Sequence, residues 1–265
     1  MGDLKMRVRE LAGWGLDENE FRPLDYRGSL KNAHALLAKR KPFENRSALV
    51  ESSDCQELLQ KHAFRDDLRR EISGLDWSLG VVDLRLLLAF QRRLTFNSEV
   101  QELAVPASDD WEALVAMCFA EAKPVACDAV RTDTSVLFHS ANPNLQFRVT
   151  GDTSNPVMIH FGSPFFEVGE YQGRWFLRDG YHRAFRALQS GVFYLPAVIV
   201  RTRTLEELGA AQPWFFSEAV LFSEAPPHVL DFLDEELVIQ YDRSPLIKTL
   251  RITLEETYSL QGEKR

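Results

Sequence analysis

The chain has 265 residues, of which 45% are hydrophobic and 26% charged, and a formal net charge of −8. That length can bury a full core as one large domain or two small ones. The acidic balance argues against non-specific contact with a nucleic-acid backbone, which needs a cationic face, and the best apolar run, VVDLRLLLAF, carries Asp83 and Arg85 and cannot span a bilayer.

The first segment, MGDLKMRVRE, is charged and lacks the apolar stretch of a secretory leader. Met6 stands where a myristoylation signal wants Ser or Thr. Three cysteines, Cys55, Cys118 and Cys127, show no paired spacing and read as free thiols. The expectation is a cytoplasmic protein.

Residues 1–76 are expected to form a helical region packed on the core. SLKNAHALLAKR predicts a short helix, with Ser29 as N-cap, one apolar face and a basic last turn before Pro42. DCQELLQKHAFRDDLRREISG repeats the pattern and stops at Gly74. Next, WSLGVVDLRLLLAFQRRL predicts a strand over GVVDL and a helix over RLLLAFQRR. ASDDWEALVAMCFAEAK predicts a helix with Asp109 and Glu112 as a capping box, Leu114, Val115, Cys118 and Phe119 on one face, and Pro124 at its end.

From about 125 to 170, β-branched and aromatic residues alternate with turn formers. SVLFHS, NLQFRVTGD and VMIHFG predict short strands, and PFFEVGEYQGRWFLRDG predicts a hairpin. After 202, TLEELGAAQ and SEAPPHVLDFLDEELVIQY each open as helices, so residues 205–265 are expected to be a helical extension. The fold class expected is mixed α/β, with a core at 77–204 and helical additions at both ends, in one compact unit.

The segment FLRDGYHRAFRALQSGVFYLPAVIVR joins a strand, the dipeptide Asp179-Gly180, a helix and a second strand. That order places unpartnered N–H groups and the positive end of a helix dipole at the end of a sheet. Gly180 allows a tight turn and a close approach, Arg183 offers a forked pair of donors, His182 adds another, and Asp179 can cap the helix or hold a metal or hydroxyl. Such a junction suits an anion. It equally suits a capped helix with a tight turn and a solvated arginine, and the residues alone leave both readings open.

The same stretch resembles the central motif of the ParB/sulfiredoxin-like superfamily, in which a strand meets a Gly-x-x-Arg turn, an Ala-rich helix, a Gly and a strand opening on Pro. Gly180, His182, Arg183, Ala187, Gly191, Pro196 and the run Ala197–Val200 match that pattern. About 40 residues are covered, including the hairpin that leads in. The resemblance implies a ParB/sulfiredoxin-like core and a nucleotide pocket, for ATP, ADP or CTP and with Mg2+, around Gly180, Tyr181, His182 and Arg183. Tyr181 stands where sulfiredoxins carry their catalytic Cys, which argues against sulfinic-acid repair. The acidic continuation FSEAPPHVLDFLDEELVIQYD replaces the helix-turn-helix of partitioning proteins, which argues against DNA binding or nuclease action.

What the resemblance leaves is phosphoryl transfer to a small-molecule or protein acceptor, or nucleotide hydrolysis. Either needs a carboxylate to take a proton, and Asp179, Glu167 and Glu170 are the candidates. The alternative is a non-catalytic nucleotide-sensing or protein-interaction module. His139 and His160 lie on separate strand-like pieces without a third ligand, so no metal site of the protein's own is expected. His228 reads as a cap, the aromatics Phe165, Phe166, Trp175 and Phe176 as core, and Arg201 or Arg203 as a candidate pocket rim.

Overall fold

The computed structural model describes residues 5–18, 20–97, 104–122, 127–142, 145–149, 154 and 157–258. In chain order the elements are β1 (Met6–Leu11), α1 (Leu30–Leu37), β2 (Leu49–Val50), α2 (Ser53–His62), α3 (Asp66–Glu71), β3 (Asp76–Asp83), β4 (Leu88–Ala89), β5 (Arg93–Asn97) and α4 (Trp111–Cys118). Next come β6 (Asp128–Arg131), β7 (Ser135–Ser140), β8 (Leu145–Val149), β9 (Val157–Phe161), β10 (Glu167–Tyr171), β11 (Arg174–Asp179), α5 (Tyr181–Gln189) and β12 (Tyr194–Thr202). The last are α6 (Leu205–Leu208), α7 (Glu218–Leu221), β13 (Val238–Arg243) and β14 (Lys248–Thr253). The protein is mixed α/β. No helix among the described residues is long and apolar enough to cross a membrane.

The chain divides into two compact units, residues 1–122 with 163–244, and residues 123–162 with 245–265. The first holds a six-stranded sheet in the order β2-β3-β12-β10-β11-β4 and a three-stranded sheet in the order β13-β1-β5. β10 and β12 run parallel, as do β11 and β4, while β10 and β11 form an antiparallel hairpin. The hairpin turns through Gln172 and Gly173, both at positive φ, the conformation a two-residue loop needs to match strand twist. The second unit holds a sheet of order β14-β7-β6 and the pair β8-β9.

Several local expectations match. Ser29 accepts the N–H of Asn32 and caps α1. α5 buries Tyr181, Ala184, Phe185, Ala187 and Leu188 on one face. Its end closes as the Gly191 pattern requires: the N–H of Gly191 reaches the Leu188 carbonyl at 3.1 Å, and that of Val192 reaches Ala187 at 2.9 Å. Pro196 falls where β12 is paired to β3 alone, before its pairing with β10 begins at Val198, so the missing N–H breaks no ladder bond on that side. Phe165, Phe166, Trp175 and Phe176 are core, as expected.

Others are corrected. Residues 1–76 are not all helix, because β1 pairs on both edges, with β13 and with β5. RLLLAFQRR is a single 3-10 turn, Leu84–Leu86, and the short strand β4. Leu87, Leu88, Ala89 and Phe90 are all buried, and a run enclosed on every side has no periodicity by which to tell helix from strand. Residues 205–265 contribute β13 and β14, and VLDFL is a 3-10 turn. The cap of α4 is Asp110, whose Oδ1 accepts the N–H of Ala113, and the helix stops at Cys118. Pro124 lies outside the described residues.

β1 also buries charge. Glu10 is fully buried and accepts two bonds from Arg22, at 2.8 and 3.0 Å, and one from the Tyr241 hydroxyl at 3.1 Å. Arg93 pairs with Asp17 at 2.8 Å and Glu20 at 3.2 Å. Buried ions persist where they are paired and hydrogen-bonded, and these are.

Candidate functional site

The junction forms as expected: β11 ends at Asp179, Gly180 is the N-cap at φ 99°, and α5 starts at Tyr181. What the side chains do there differs from a clamp waiting for phosphate. Arg183 turns inward. Its Nη1 donates to the Pro164 carbonyl at 2.8 Å and the Met117 carbonyl at 3.3 Å, and Nη2 donates to Phe165 at 2.6 Å. Its guanidinium also lies 5.9 Å from the Phe166 ring centroid. It ties the end of α4 and the approach to β10 to the first turn of α5.

Tyr181 is buried, and its hydroxyl accepts the N–H groups of Phe90 and Gln91 at 3.1 and 3.3 Å. Burial pushes its phenol well up, so it stays protonated. His182 lies over Phe96, with Nε2 2.9 Å from the Thr95 carbonyl. Desolvation holds its imidazole below the usual range, against the opposing effect of that bond. Gly180 is closely covered, because a Cβ there would sit 2.4 Å from Phe166 Cδ2.

Asp179 keeps a path to solvent, with 35% of its side chain exposed, and His182 beside it is exposed as well. Its Oδ2 accepts the Ser163 N–H at 2.9 Å, and its Oδ1 stands 3.9 Å from Arg183 Nη2, beyond hydrogen-bond reach. Burial against protein on the inner side, and then the neighbouring Glu167, push its carboxyl up to about 6, against the pull of the Ser163 N–H and Arg183. Glu167 is buried and salt-bridged to Arg178 at 2.8 Å. Glu167 and Asp179 are cross-strand partners at a β-bulge. Glu170 pairs across β11 with Trp175, three residues along β10 from Glu167, and its carboxylate lies 3.8 Å from Arg201. The fold thus brings Asp179 and Glu167 together and leaves Glu170 apart. Arg201 and Arg203 line an open concavity with Gly74, Leu75, Asp76 and Thr202, around the end of β12.

Sequence reasoning missed the Ser163 N–H on Asp179, the bulge at Arg178–Asp179, and the carbonyls of Met117, Pro164 and Phe165 that Arg183 serves. Each is a backbone feature brought from a distant part of the chain, with no side-chain signature. Elsewhere, His139 bonds Thr249 through Nδ1 at 2.8 Å, and His160 stands on β9. Cys55 and Cys118 are buried free thiols, and burial pushes Cys118 up to about 12. Among the described residues no group of three or more His, Cys, Asp or Glu is arranged to hold a metal ion.

The Asp179 environment fixes a pH dependence. A carboxyl raised in the folded state binds its proton more tightly there than in the unfolded chain. Its contribution to stability is therefore complete below the unfolded value near 4 and is lost as pH rises through about 6. Urea unfolding of Asp179→Asn is expected to show a variant more stable than the parent at pH 7.5, with the advantage gone at pH 4. Equal stability of the two proteins at both pH values would contradict this.

Comparison of the chain with protein-family models, with curated proteins and with solved structures finds no match.

Proposed function

We propose that the protein binds a nucleotide at the start of α5 and uses Asp179 to accept a proton in phosphoryl transfer or nucleotide hydrolysis. The observation that carries the reading is Asp179 itself: a carboxyl pushed up to about 6, open to solvent on one side, at the carboxyl end of a strand and the positive end of a helix. A group poised near neutral pH is suited to proton transfer. Phosphate is held by the first N–H groups of α5, with the helix dipole behind them. Arg183 has a supporting role here: it holds the α4 end and the Pro164–Phe165 segment in place beside the junction.

In the transfer step, an acceptor hydroxyl or a water forms a bond to the terminal phosphorus and the bond to the leaving phosphate breaks. The electron pair of that bond goes to the leaving oxygen, and the acceptor proton goes to Asp179. Mg2+ would supply neutralisation of phosphate charge. Asp179 offers it a single oxygen, with Oδ2 taken by Ser163, so the ion would arrive on the nucleotide phosphates rather than in a cage of the protein's own.

A second reading, a non-catalytic sensing or protein-interaction module, is favoured by one observation: Tyr181, His182 and Arg183 all have partners inside the protein. Melting temperature measured with ATP, ADP, CTP and GTP, each with and without Mg2+, separates the two. One nucleotide at about a hundred times its dissociation constant is expected to add roughly 2.7 kcal/mol. His182→Glu places an acid in the first turn, which suits the helix dipole and repels phosphate; it gives up the bond to the Thr95 carbonyl, so its ligand-free melting temperature is measured alongside, and it should fold and lose the shift. Asp179→Asn should keep the shift and lose turnover. A flat response to all four nucleotides rejects the nucleotide reading in favour of the module.

A further inference from the structure

The hairpin that leads into the junction is irregular at one place. Val168 pairs with Leu177 and Glu167 pairs with Asp179, so Arg178 and Asp179 together oppose Glu167. An extra residue on one strand bends it and re-aims the side chains around it, a device found beside active sites. Here it turns a basic and an acidic group toward the same partner. Arg178 Nη1 reaches Glu167 Oε2 at 2.8 Å, while Arg178 Nε bonds the Leu208 carbonyl at 3.3 Å. The other oxygen, Glu167 Oε1, is buried and has no hydrogen-bond partner. Only 6% of that side chain is exposed. A buried acceptor with nothing to accept is destabilising, more so when charged, so an arrangement that supplies a donor is favoured.

Asp179 is placed to be that donor when protonated. Directly opposed residues on antiparallel strands hold their Cβ atoms about 4.5–5.5 Å apart, within reach of two carboxyl groups. Asp179 Oδ2 is occupied by the Ser163 N–H, and Oδ1 stands 3.9 Å from Arg183, too far for that guanidinium to hold it. We propose that the bulge makes Glu167 and Asp179 one proton-holding pair, in which protonated Asp179 donates its Oδ1 hydrogen to Glu167 Oε1. Glu167 is then a positioning residue that acts through Asp179. The proton has one way out, along the solvent-exposed side of Asp179, where an acceptor would sit.

The groups facing this pair all fit. Arg178 neutralises the inner carboxylate from β11, Arg183 lies at a distance from α5, and the Ser163 and Gly180 N–H groups act on the outer carboxyl. Tyr181, next along α5, keeps its own proton and spends its hydroxyl on Phe90 and Gln91. Two carboxylates this close resist simultaneous ionisation, which agrees in direction with the upward displacement of Asp179.

The inference deepens the reading of Asp179 as a proton acceptor but is tested without nucleotide, so the two stand or fall separately. The Asp179 carboxyl 13C resonance is titrated in the full-length protein and in two variants. Glu167→Gln removes the inner charge and should lower the Asp179 midpoint by about one pH unit or more. Arg178→Gln leaves Glu167 uncompensated and should raise it. Opposite displacements are the signature, since loosened packing would move both variants the same way. If Glu167→Gln does not fold, the Arg178→Gln displacement still decides. An Asp179 midpoint unchanged in whichever variants fold, or displaced in the same direction in both, overturns the pair and leaves Glu167 as a plain ion-pair partner of Arg178.

Discussion

Arg183→Ala is expected to destabilise the protein by about 3–5 kcal/mol with no ligand present, because three carbonyls lose a charged donor. The bonds to Pro164, Phe165 and Met117 span 2.6–3.3 Å, and the side chain is only 14% exposed, so water cannot replace the guanidinium without opening the site. For a chain of this size the melting temperature should fall by about 10 °C. Arg183→Lys should recover only part of that, since one ammonium cannot reproduce a planar fork aimed at three acceptors. The result matters for function as well as stability. A variant as stable as the parent but unable to respond to any nucleotide would make Arg183 a phosphate clamp. The geometry points the other way, to a residue that holds the α4 end and the Pro164–Phe165 segment in place so that the Ser163 N–H can reach Asp179.

Gly180→Ala should cost a similar amount, for two separable reasons. The backbone at φ 99° is one that L side chains avoid, at about 1–2 kcal/mol. A Cβ would also stand 2.4 Å from Phe166 Cδ2 in the core, and relieving such a clash costs about 1–3 kcal/mol. Together the expected loss is about 3–4 kcal/mol. Adding Phe166→Leu to Gly180→Ala should return the steric part and leave the backbone part, as a double-mutant cycle would measure. Gly191→Ala is the comparison, because Gly191 is also at positive φ but a methyl added there would meet nothing within 4 Å. It should lose only about 1 kcal/mol. Equal losses at the two glycines would mean that Phe166 yields freely and that close packing does not explain Gly180.

Together these variants test whether the motif is a keystone. The side chains of Tyr181, His182 and Arg183 knit α5 to the backbone at 90–91, at 95, and at 117 with 164–165. A ligand at the helix start would meet backbone N–H groups and Asp179 rather than a ring of free cations. His182→Glu alters the field at the helix start while leaving Arg183 in place.

Much was legible in the sequence because its causes are local. Ser29 three residues before Asn32, Gly191 after a helix with one apolar face, and the turn formers of YQG between two apolar runs all act within a few residues of themselves. The strand, Asp179-Gly180, helix and strand order could be read for the same reason. β1, β4 and β13 could not. MRVREL holds Arg9 and Glu10 inside the protein only because Phe232, Glu235, Arg22 and Tyr241 come to meet them from elsewhere in the chain. Leu87, Leu88, Ala89 and Phe90 are all buried and so carry no periodicity. VIQYDR reads as the tail of an acidic helix, yet it pairs with β1 along its whole length.

The sequence by itself determined the mixed α/β class of the chain, the hairpin, the cap of α1, and the presence of an Asp-Gly junction between a strand and a helix. Only the tertiary structure decided what the junction's residues do. Arg183 faces carbonyls from residues 18, 19 and 66 positions away, and Glu167 faces Asp179 because of one extra residue in a strand pairing. The physical reason is that propensity, capping and turn chemistry are set by neighbours in the chain. The protonation of a carboxyl and the partner of a guanidinium are set by whatever the folded chain places within a few ångströms.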